Sequence, residues 1–142
     1  MSELTCTVII ATRNRPEWLC KTLSSLSSTH VFSVVVVDQS DESFRARNQQ
    51  ILKEWPDLLY VESPLDGLPS ARNRGLACGS EDVVIFFDDD VYVYEGCIAA
   101  HIEAYDDASV GGVAGRIAEA SLKANREGVG NGMNRLGRMR TN

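Results

Sequence analysis

The chain has 142 residues, of which 44% are hydrophobic, and its formal net charge at neutral pH is -6. This composition predicts one globular domain with a sizeable core, and the acidic balance argues against nucleic acid as a partner. The sequence has neither a long apolar run nor a basic segment followed by an apolar one, so no membrane span or secretory signal is expected and a cytoplasmic location follows. The four cysteines lie far apart without CxxC spacing, which argues against zinc and redox motifs.

The charge is unevenly divided along the chain. Residues 1–118 carry a charge of -9, whereas residues 119–142 carry +3 and contain four glycines. This difference predicts a folded body at 1–118 and a glycine-rich, basic connector at 119–142.

The first predicted strand covers residues 5–11, which are rich in β-branched side chains, and Pro16 begins the first helix. The side chains of this helix expected to face inward are Trp18, Leu19, Leu23 and Leu26. The loop at 12–15 lacks the glycines of a dinucleotide-binding turn. Its two arginines, Arg13 and Arg15, either contact a phosphate-bearing ligand or are solvated loop charges.

The second predicted strand, at residues 33–37, brings Asp38 to the carboxyl end of the sheet, as the first strand brings Thr12. Ligands of open α/β sheets bind at that edge, where a carboxylate can accept a hydrogen bond from a base N–H or a sugar hydroxyl. Helix capping is the alternative role of Asp38, although Asp41 is also available for it. Since Asp38 has no predicted core to pack into, its replacement by alanine is expected to leave the fold intact.

A third, shorter strand is predicted at residues 58–62, and a helix follows at 68–77. Arg72 and Arg74 of this helix lie about 200° apart around its axis at about 100° per residue. Only one of the two is therefore expected to face the ligand edge of the sheet.

The fourth predicted strand is a continuous apolar run at 83–87 that leads directly into Asp88, Asp89 and Asp90. Such a run is typical of a strand buried on both faces in the middle of a parallel sheet. Three adjacent carboxylates repel one another, so a divalent cation is their natural partner. An acidic turn that caps the next helix is the alternative.

A helix around Ile98 and Ile102 and a fifth strand at 110–117 complete the pattern. Strands and helices alternate throughout. The sequence therefore predicts an α/β fold with a mostly parallel sheet flanked by helices.

Five short motifs follow one another in the chain. They are VIIATRNR at 8–15 with a proline after it, VVDQS at 36–40, SARNRG at 70–75, FDDD at 87–90 and VAGRI at 113–117. In this order and spacing they resemble the amino-terminal, nucleotide-sugar-binding part of family 2 glycosyltransferases, and the resemblance covers the chain to about residue 118. It implies the Rossmann-like GT-A fold, truncated after the fifth strand.

The resemblance also implies roles for individual residues. Those expected to bind the nucleotide are Thr12, Arg13, Arg15, Asp38, Arg72 and Asp89. Asp38 would receive the base, Thr12 and the arginine loop would line the pocket, and Arg72 would reach the base or the diphosphate.

The aspartates correspond to the family's DxD motif, although three in a row leave its frame open. Asp88 is expected toward the ribose and the waters of the metal, Asp90 on the metal, and Asp89 in either role. Their hard oxygens suit Mn²⁺ or Mg²⁺, which would bridge the two phosphates and neutralise the departing diphosphate.

The implied reaction is metal-dependent transfer of a sugar, with inversion, from a nucleoside diphosphate sugar to an acceptor hydroxyl. The general base of these enzymes lies beyond the fifth strand, where residues 119–142 offer only Glu119 and Glu127 as carboxylates. The chain is therefore expected to be an incomplete transferase that binds donor with little turnover. An uncovered fifth strand would favour self-association into a homo-oligomer.

Two alternatives stay open. One is a nucleotide-sugar-binding module without turnover. The other is a phosphatase with an aspartate nucleophile, which is less favoured because such enzymes need a later lysine and this chain has only Lys123 after the aspartates.

Overall fold

The structure, a computed structural model, describes residues 4–26 and 32–118, and the backbone of residues 137–140. The chain divides into two units, residues 1–98 and 99–142. The division at residue 118 expected from the charge pattern stays a prediction. None of the described helices is long and apolar enough to cross a membrane.

The first unit contains a sheet of four parallel strands alternating with three helices. The strands are β1 (Cys6–Thr12), β2 (Ser33–Asp38), β3 (Leu59–Glu62) and β4 (Val83–Asp88), and the helices are α1 (Pro16–Ser25), α2 (Glu42–Leu52) and α3 (Leu68–Leu76). The strand order is β3-β2-β1-β4, and every neighbouring pair is parallel. The predicted α/β fold, with helices flanking a parallel sheet, is confirmed.

One part of the core of this unit forms where α3 packs against β1 and β2. Ile9, Val35, Val37 and Ala71 make one buried cluster there. Gly75 permits the close approach, because a Cβ atom at this position would lie 2.4 Å from Cγ2 of Ile9.

The register of the strands places their carboxyl ends side by side. Thr12 of β1 pairs with Asp38 of β2, and Ala11 pairs with Asp88 of β4. Residues that follow these strands therefore meet at one edge of the sheet, which is where ligands of such folds bind.

Strand β4 lies at the edge of the four-stranded sheet, with β1 as its neighbour. Val83 and Ile85 are buried, but Phe86 is 42% exposed, with the guanidinium carbon of Arg72 5.8 Å from its ring centre. The prediction of a central strand buried on both faces is wrong, because a continuous apolar run does not reveal how many neighbours a strand has.

The buried face of α1 differs from the predicted one. Leu19 and Leu23 are buried as expected, but Trp18 is 51% exposed, with the Lys21 amine 4.7 Å from its ring centre. The buried polar side chain of Thr22 lies on this face instead and donates hydrogen bonds to the carbonyls of Asp89 and Val91. A hydrophobic pattern does not predict which polar side chain of a helix is buried because it makes hydrogen bonds.

The last elements are α4 (Cys97–Glu103), a short 3-10 helix (Ala104–Asp106), β5 (Val110–Ala114) and β6 (Gly137–Arg140). Strands β5 and β6 pair antiparallel in a sheet of their own. Two expectations need correction: β5 does not extend the parallel sheet, and residues 137–140 of the predicted connector form a strand that pairs with it. The other residues of 119–142, including Glu119, Lys123 and Glu127, lie outside the described part of the chain.

Candidate functional site

A cavity of about 680 Å³ opens at the carboxyl ends of the strands in the first unit. It is lined by residues 11–15, Gln39, Leu65, Gly67, Leu68 and residues 88–90. Of the residues predicted to form the site, the structure brings Thr12, Arg13, Arg15 and the three aspartates together around the cavity. Asp38 and Arg72 do not line it.

Asp89 is the buried centre of the aspartate cluster, with a side chain only 9% exposed. Its Oδ2 accepts a 2.7 Å hydrogen bond from Oγ1 of Thr12, and its Oδ1 lies 3.3 Å from Nη1 of Arg15. Burial raises the pKa of Asp89 above its ordinary value, and the charge of Asp90 adds to this effect, while the Thr12 hydrogen bond and the Arg15 charge oppose it. Thr12, Arg15 and the backbone N–H of Arg13 therefore each favour the ionised form of this carboxylate.

Two arginines lie among the three aspartates. Nη1 of Arg15 is 3.0 Å from Oδ2 of Asp90, so one guanidinium bridges Asp89 and Asp90. Nη2 of Arg72 is 3.1 Å from Oδ1 of Asp88, which is how Arg72 reaches the site from outside the cavity. Two guanidinium groups therefore place positive charge among the aspartates.

The loop after β1 is held by Asn14, a residue that the sequence did not single out. Asn14 has a left-handed backbone with φ of 56°, which asparagine tolerates better than most residues. Its backbone N–H donates to Ser40 Oγ at 2.8 Å, its side-chain amide donates to Asp41 at 2.8 Å, and its side-chain oxygen accepts from the backbone N–H of Asp41 at 2.9 Å. These bonds fix the loop that presents Arg13 and Arg15. Arg13 has no ion-pair partner among residues 4–26 and 32–118.

Asp38 is fully buried, with 0% exposure. Its Oδ1 accepts a hydrogen bond from the backbone N–H of Ser40 at 2.8 Å, and its Oδ2 accepts from Asn48 Nδ2 at 2.9 Å and from the Tyr60 hydroxyl at 2.7 Å. The expectation that Asp38 has nothing to pack against is therefore wrong. Its role in receiving the base stays a prediction.

Gln39 is the second cavity residue that sequence patterns missed. Its amide Nε2 lies 2.9 Å from the carbonyl oxygen of Pro64 and 2.8 Å from Oδ1 of Asp66. Asp66 also pairs with Arg74 at 2.8 Å, so both interactions hold the loop that contributes Leu65 to the cavity wall. Gln39 belongs to the VVDQS motif at 36–40, in which only Asp38 is given a role from sequence, and its position directly after β2 is a second signal.

The three aspartates offer carboxylate oxygens as donors to a metal ion. No three acidic, histidine or cysteine side chains in the described part of the chain are grouped so as to hold an ion by themselves. Arg72 pairs with Oδ1 of Asp88, and Arg15 pairs with Oδ2 of Asp90. The other carboxylate oxygen of each of these two aspartates accepts no hydrogen bond from the described residues. One or two carboxylates completed by substrate phosphates and water are the usual protein contribution to a Mg²⁺ site, so Asp88 and Asp90 fit such an ion.

The family can be decided by comparison with known proteins. The model of the family described as glycosyl transferase family 2 matches residues 7–141 of the chain. The chain belongs to this family. The resemblance carried by the five motifs is thereby confirmed, and the match extends beyond residue 118 to include β6.

Similarity to individual proteins supports the assignment to family 2. Succinoglycan biosynthesis protein ExoM of Rhizobium meliloti (strain 1021) is 38% identical over an alignment of 88 residues, and the match covers 57% of this chain and 28% of that protein. The S. aureus TarS 1-349 crystal structure has a TM-score of 0.63 at 22% identity and covers 83% of this chain, which supports the GT-A fold. TarS 1-349 in complex with UDP has a TM-score of 0.57 at 26% identity over 83% of this chain. The chain spans 39% of each of these two TarS chains.

Proposed function

We propose that this family 2 chain binds the donor in an enzyme that transfers a sugar from a nucleoside diphosphate sugar to an acceptor hydroxyl. The observation that carries the proposal is the cavity at the carboxyl ends of β1, β2 and β4, where loop arginines and three aspartates meet. The solved complex of TarS with UDP supports a nucleoside diphosphate as the ligand class.

The cavity offers separate surfaces for the two ends of such a ligand. Arg13 and Arg15 supply guanidinium groups suited to phosphate oxygens, and Arg13 needs to break no ion pair with a described residue to do so. Leu65 and Leu68 are both exposed on the loop side of the cavity, where they provide apolar area for a base. We therefore place the diphosphate beside the arginine loop and the base near the leucines.

Asp88 and Asp90 are proposed to hold Mn²⁺ or Mg²⁺ through the oxygens that the arginines leave available. When bound there, such an ion would supply positive charge that neutralises the departing diphosphate. Asp89 is buried and bonded to Thr12 and Arg15, so its proposed contribution is to orient Arg15 toward the nucleotide. Arg72, bonded to Asp88, is proposed to contact the diphosphate or the base when that ion pair opens.

Inversion is proposed from the family resemblance. In this reaction the acceptor oxygen forms a bond to the anomeric carbon as the bond to the diphosphate oxygen breaks, and a general base takes the hydroxyl proton. We assign no described residue to that base. A cytoplasmic location, a homo-oligomer and binding without turnover stay predictions, while the phosphatase alternative loses its support to the family match over residues 7–141.

The proposal is tested by calorimetry of UDP-, GDP-, TDP- and CDP-sugars, each with Mn²⁺ and with EDTA. At least one should bind with Mn²⁺ and bind more weakly with EDTA, and Asp90→Asn should reduce the difference. Asp57→Asn is the matched control, because Asp57 is exposed and does not line the cavity. Absence of binding by every donor would contradict the proposal, and equal affinity with EDTA would contradict the metal role alone.

A further inference from the structure

The segment at 91–95, directly after the aspartates, is held against helix α1. The carbonyl oxygen of Val91 lies 2.8 Å from Oγ1 of Thr22, and the backbone N–H of Val93 donates to Oγ of Ser25 at 2.9 Å. Val93 itself is only 5% exposed, so its side chain anchors the middle of the segment. The backbone on either side of this valine is therefore fixed.

Two aromatic rings are uncovered on this fixed backbone. Tyr92 is 72% exposed and Tyr94 is 66% exposed, and their ring centres lie 5.4 Å apart with the ring planes at 73°. Neither hydroxyl bonds to a described residue, while the carbonyl oxygen of Tyr94 accepts from the backbone N–H of Cys97 at 3.0 Å. A single exposed aromatic side chain needs no explanation, but two in contact form a continuous surface that a ligand can cover.

This aromatic surface, Tyr92 and Tyr94, adjoins the cavity. Asp90 lines the cavity and Tyr92 follows it by two residues, so the Cα atoms of these two residues lie within about 7 Å of each other. The proposed function places the departing diphosphate beside the aspartates. An acceptor has to approach the sugar carbon from which that diphosphate departs, and the aromatic surface is next to this position.

The chemistry of the surface favours one class of acceptor. A sugar ring presents C–H groups on its faces and hydroxyls around its edge. The negative face of a tyrosine ring attracts the C–H groups, and the phenol hydroxyl can bond to the sugar hydroxyls. Residues 91–98 contain one carboxylate, Glu95, and no lysine or arginine, so a phosphate group on the acceptor would find no cation there.

We infer that Tyr92 and Tyr94 bind the acceptor, and that the acceptor is an uncharged saccharide whose ring packs on the two tyrosine rings. This inference rests on the proposed function and names its acceptor class. In it, Thr22 and Ser25 are positioning residues, because they hold the segment that presents the rings. A second copy of the chain is the competing occupant of the surface.

The experiment follows binding of the methyl glycosides of glucose, galactose and mannose to the 142-residue chain by NMR titration. At least one glycoside should bind, with upfield shifts of its ring C–H protons. Joint replacement Tyr92→Leu and Tyr94→Leu should weaken it by about fivefold or more, since each stacked ring contributes about twofold to tenfold. Joint replacement of both tyrosines by phenylalanine, which keeps the rings, should stay within about threefold.

Three controls separate this contact from general adsorption. Trp18→Leu, which removes another exposed aromatic side chain, should leave glycoside binding unchanged. Glucose 6-phosphate should bind more weakly than methyl glucoside. The affinity for UDP should be the same in the double leucine variant as in the wild-type chain, because neither tyrosine lines the cavity.

Absence of binding by all three glycosides overturns the inference, and so does an equal loss in Trp18→Leu or tighter binding of glucose 6-phosphate. A dimer of the wild-type chain that dissociates in the double leucine variant, without any glycoside binding, would assign the surface to a second copy. Failure of every nucleoside diphosphate to bind refutes the proposed function and the acceptor role with it, even where the glycosides still bind.

Discussion

Thr12 and Asp89 are joined by a buried 2.7 Å hydrogen bond between residues that are 77 positions apart in the chain. The bond connects the carboxyl end of β1 with the turn after β4. It also stabilises the ionised form of the Asp89 carboxylate, which burial disfavours. The contact therefore holds the acidic side of the cavity at the edge of the sheet.

Replacing Thr12 by valine should lower the free energy of unfolding by about 1–3 kcal/mol, the cost of leaving a buried polar group without its partner. Thr12→Ser, which keeps the hydroxyl, is the control, and urea unfolding measures the stability of both variants.

The effect of Thr12→Val should also depend on pH. Because the pKa of Asp89 is raised in the folded state, the charge of Asp89 destabilises the fold above that pKa, and this penalty is relieved as the pH falls through the folded-state pKa. The difference between the variants should shrink in acid; a difference that grows there would contradict this account.

Asp38→Ala should be strongly destabilising, contrary to the expectation from sequence. The substitution leaves the backbone N–H of Ser40, the amide of Asn48 and the hydroxyl of Tyr60 without their acceptor, at a cost of about 3 kcal/mol or more. Asp38→Asn should cost less, because Asn48 has a buried Oδ1 without a partner that can accept from the new amide after rotation. Equal stability of Asp38→Ala and the wild-type chain in urea would show that this network contributes nothing.

Tyr60 should ionise above the ordinary pH range of a tyrosine. Burial first, and then its hydrogen bond to the Asp38 carboxylate, raise the pKa of Tyr60 well above its ordinary value of 10. The stabilisation from this group is fully present below about pH 10 and is lost as the pH rises further, since the unfolded chain releases the proton first. Ultraviolet titration of tyrosinate in the folded protein should show a late step, and Tyr60→Phe should remove it. An unchanged titration curve in the Tyr60→Phe variant would contradict the buried contact.

Gly75→Ala should destabilise the protein even though alanine is the better helix former by about 1 kcal/mol. The added methyl group would lie 2.4 Å from Cγ2 of Ile9 and 3.3 Å from Cγ2 of Val37, so α3 must move away from the sheet. Overpacking of this kind costs about 1–3 kcal/mol, which exceeds the gain in helix propensity. Adding Ile9→Leu, which removes the Cγ2 atom, should recover part of the loss in thermal unfolding; no recovery would place the strain elsewhere.

Sequence patterns predict the edge of the sheet at which this site forms, because strands β1, β2 and β4 are parallel and deliver the residues after them to the same place. They do not predict which side chains at this edge are already hydrogen-bonded to other residues. The partners of Asp38 come from Asn48 and Tyr60, which lie 10 and 22 positions away and belong to patterns that indicate only a helix and a strand.

The limits elsewhere have similar physical causes. The apolar run of β4 indicates burial but not the number of neighbouring strands, so its edge position was missed. Residues 137–140 contain two arginines and a glycine, a composition that favours no strand until β5 pairs with it. The aspartate pattern did not indicate that Arg15 pairs with Asp89 and Asp90, and the metal ion expected there stays a prediction.

Arg15→Gln should change the affinities for metal and nucleotide in opposite directions. Arg15 bridges Asp89 and Asp90 and therefore competes with any cation for the second of these carboxylates. Its removal should strengthen Mn²⁺ binding in the absence of nucleotide by about twofold to fivefold, the scale of a partly exposed ion pair of at most about 1 kcal/mol. The same change should weaken nucleoside diphosphate binding, because a guanidinium group suited to phosphate oxygens is lost.

Electron paramagnetic resonance of free Mn²⁺ measures the effect on metal binding, and calorimetry measures the effect on nucleotide binding. Arg47→Gln, which breaks the exposed pair with Glu17, is the control. Loss of both affinities together would mean that Arg15 only supports the loop after β1, and a gain in both would remove it from the diphosphate site.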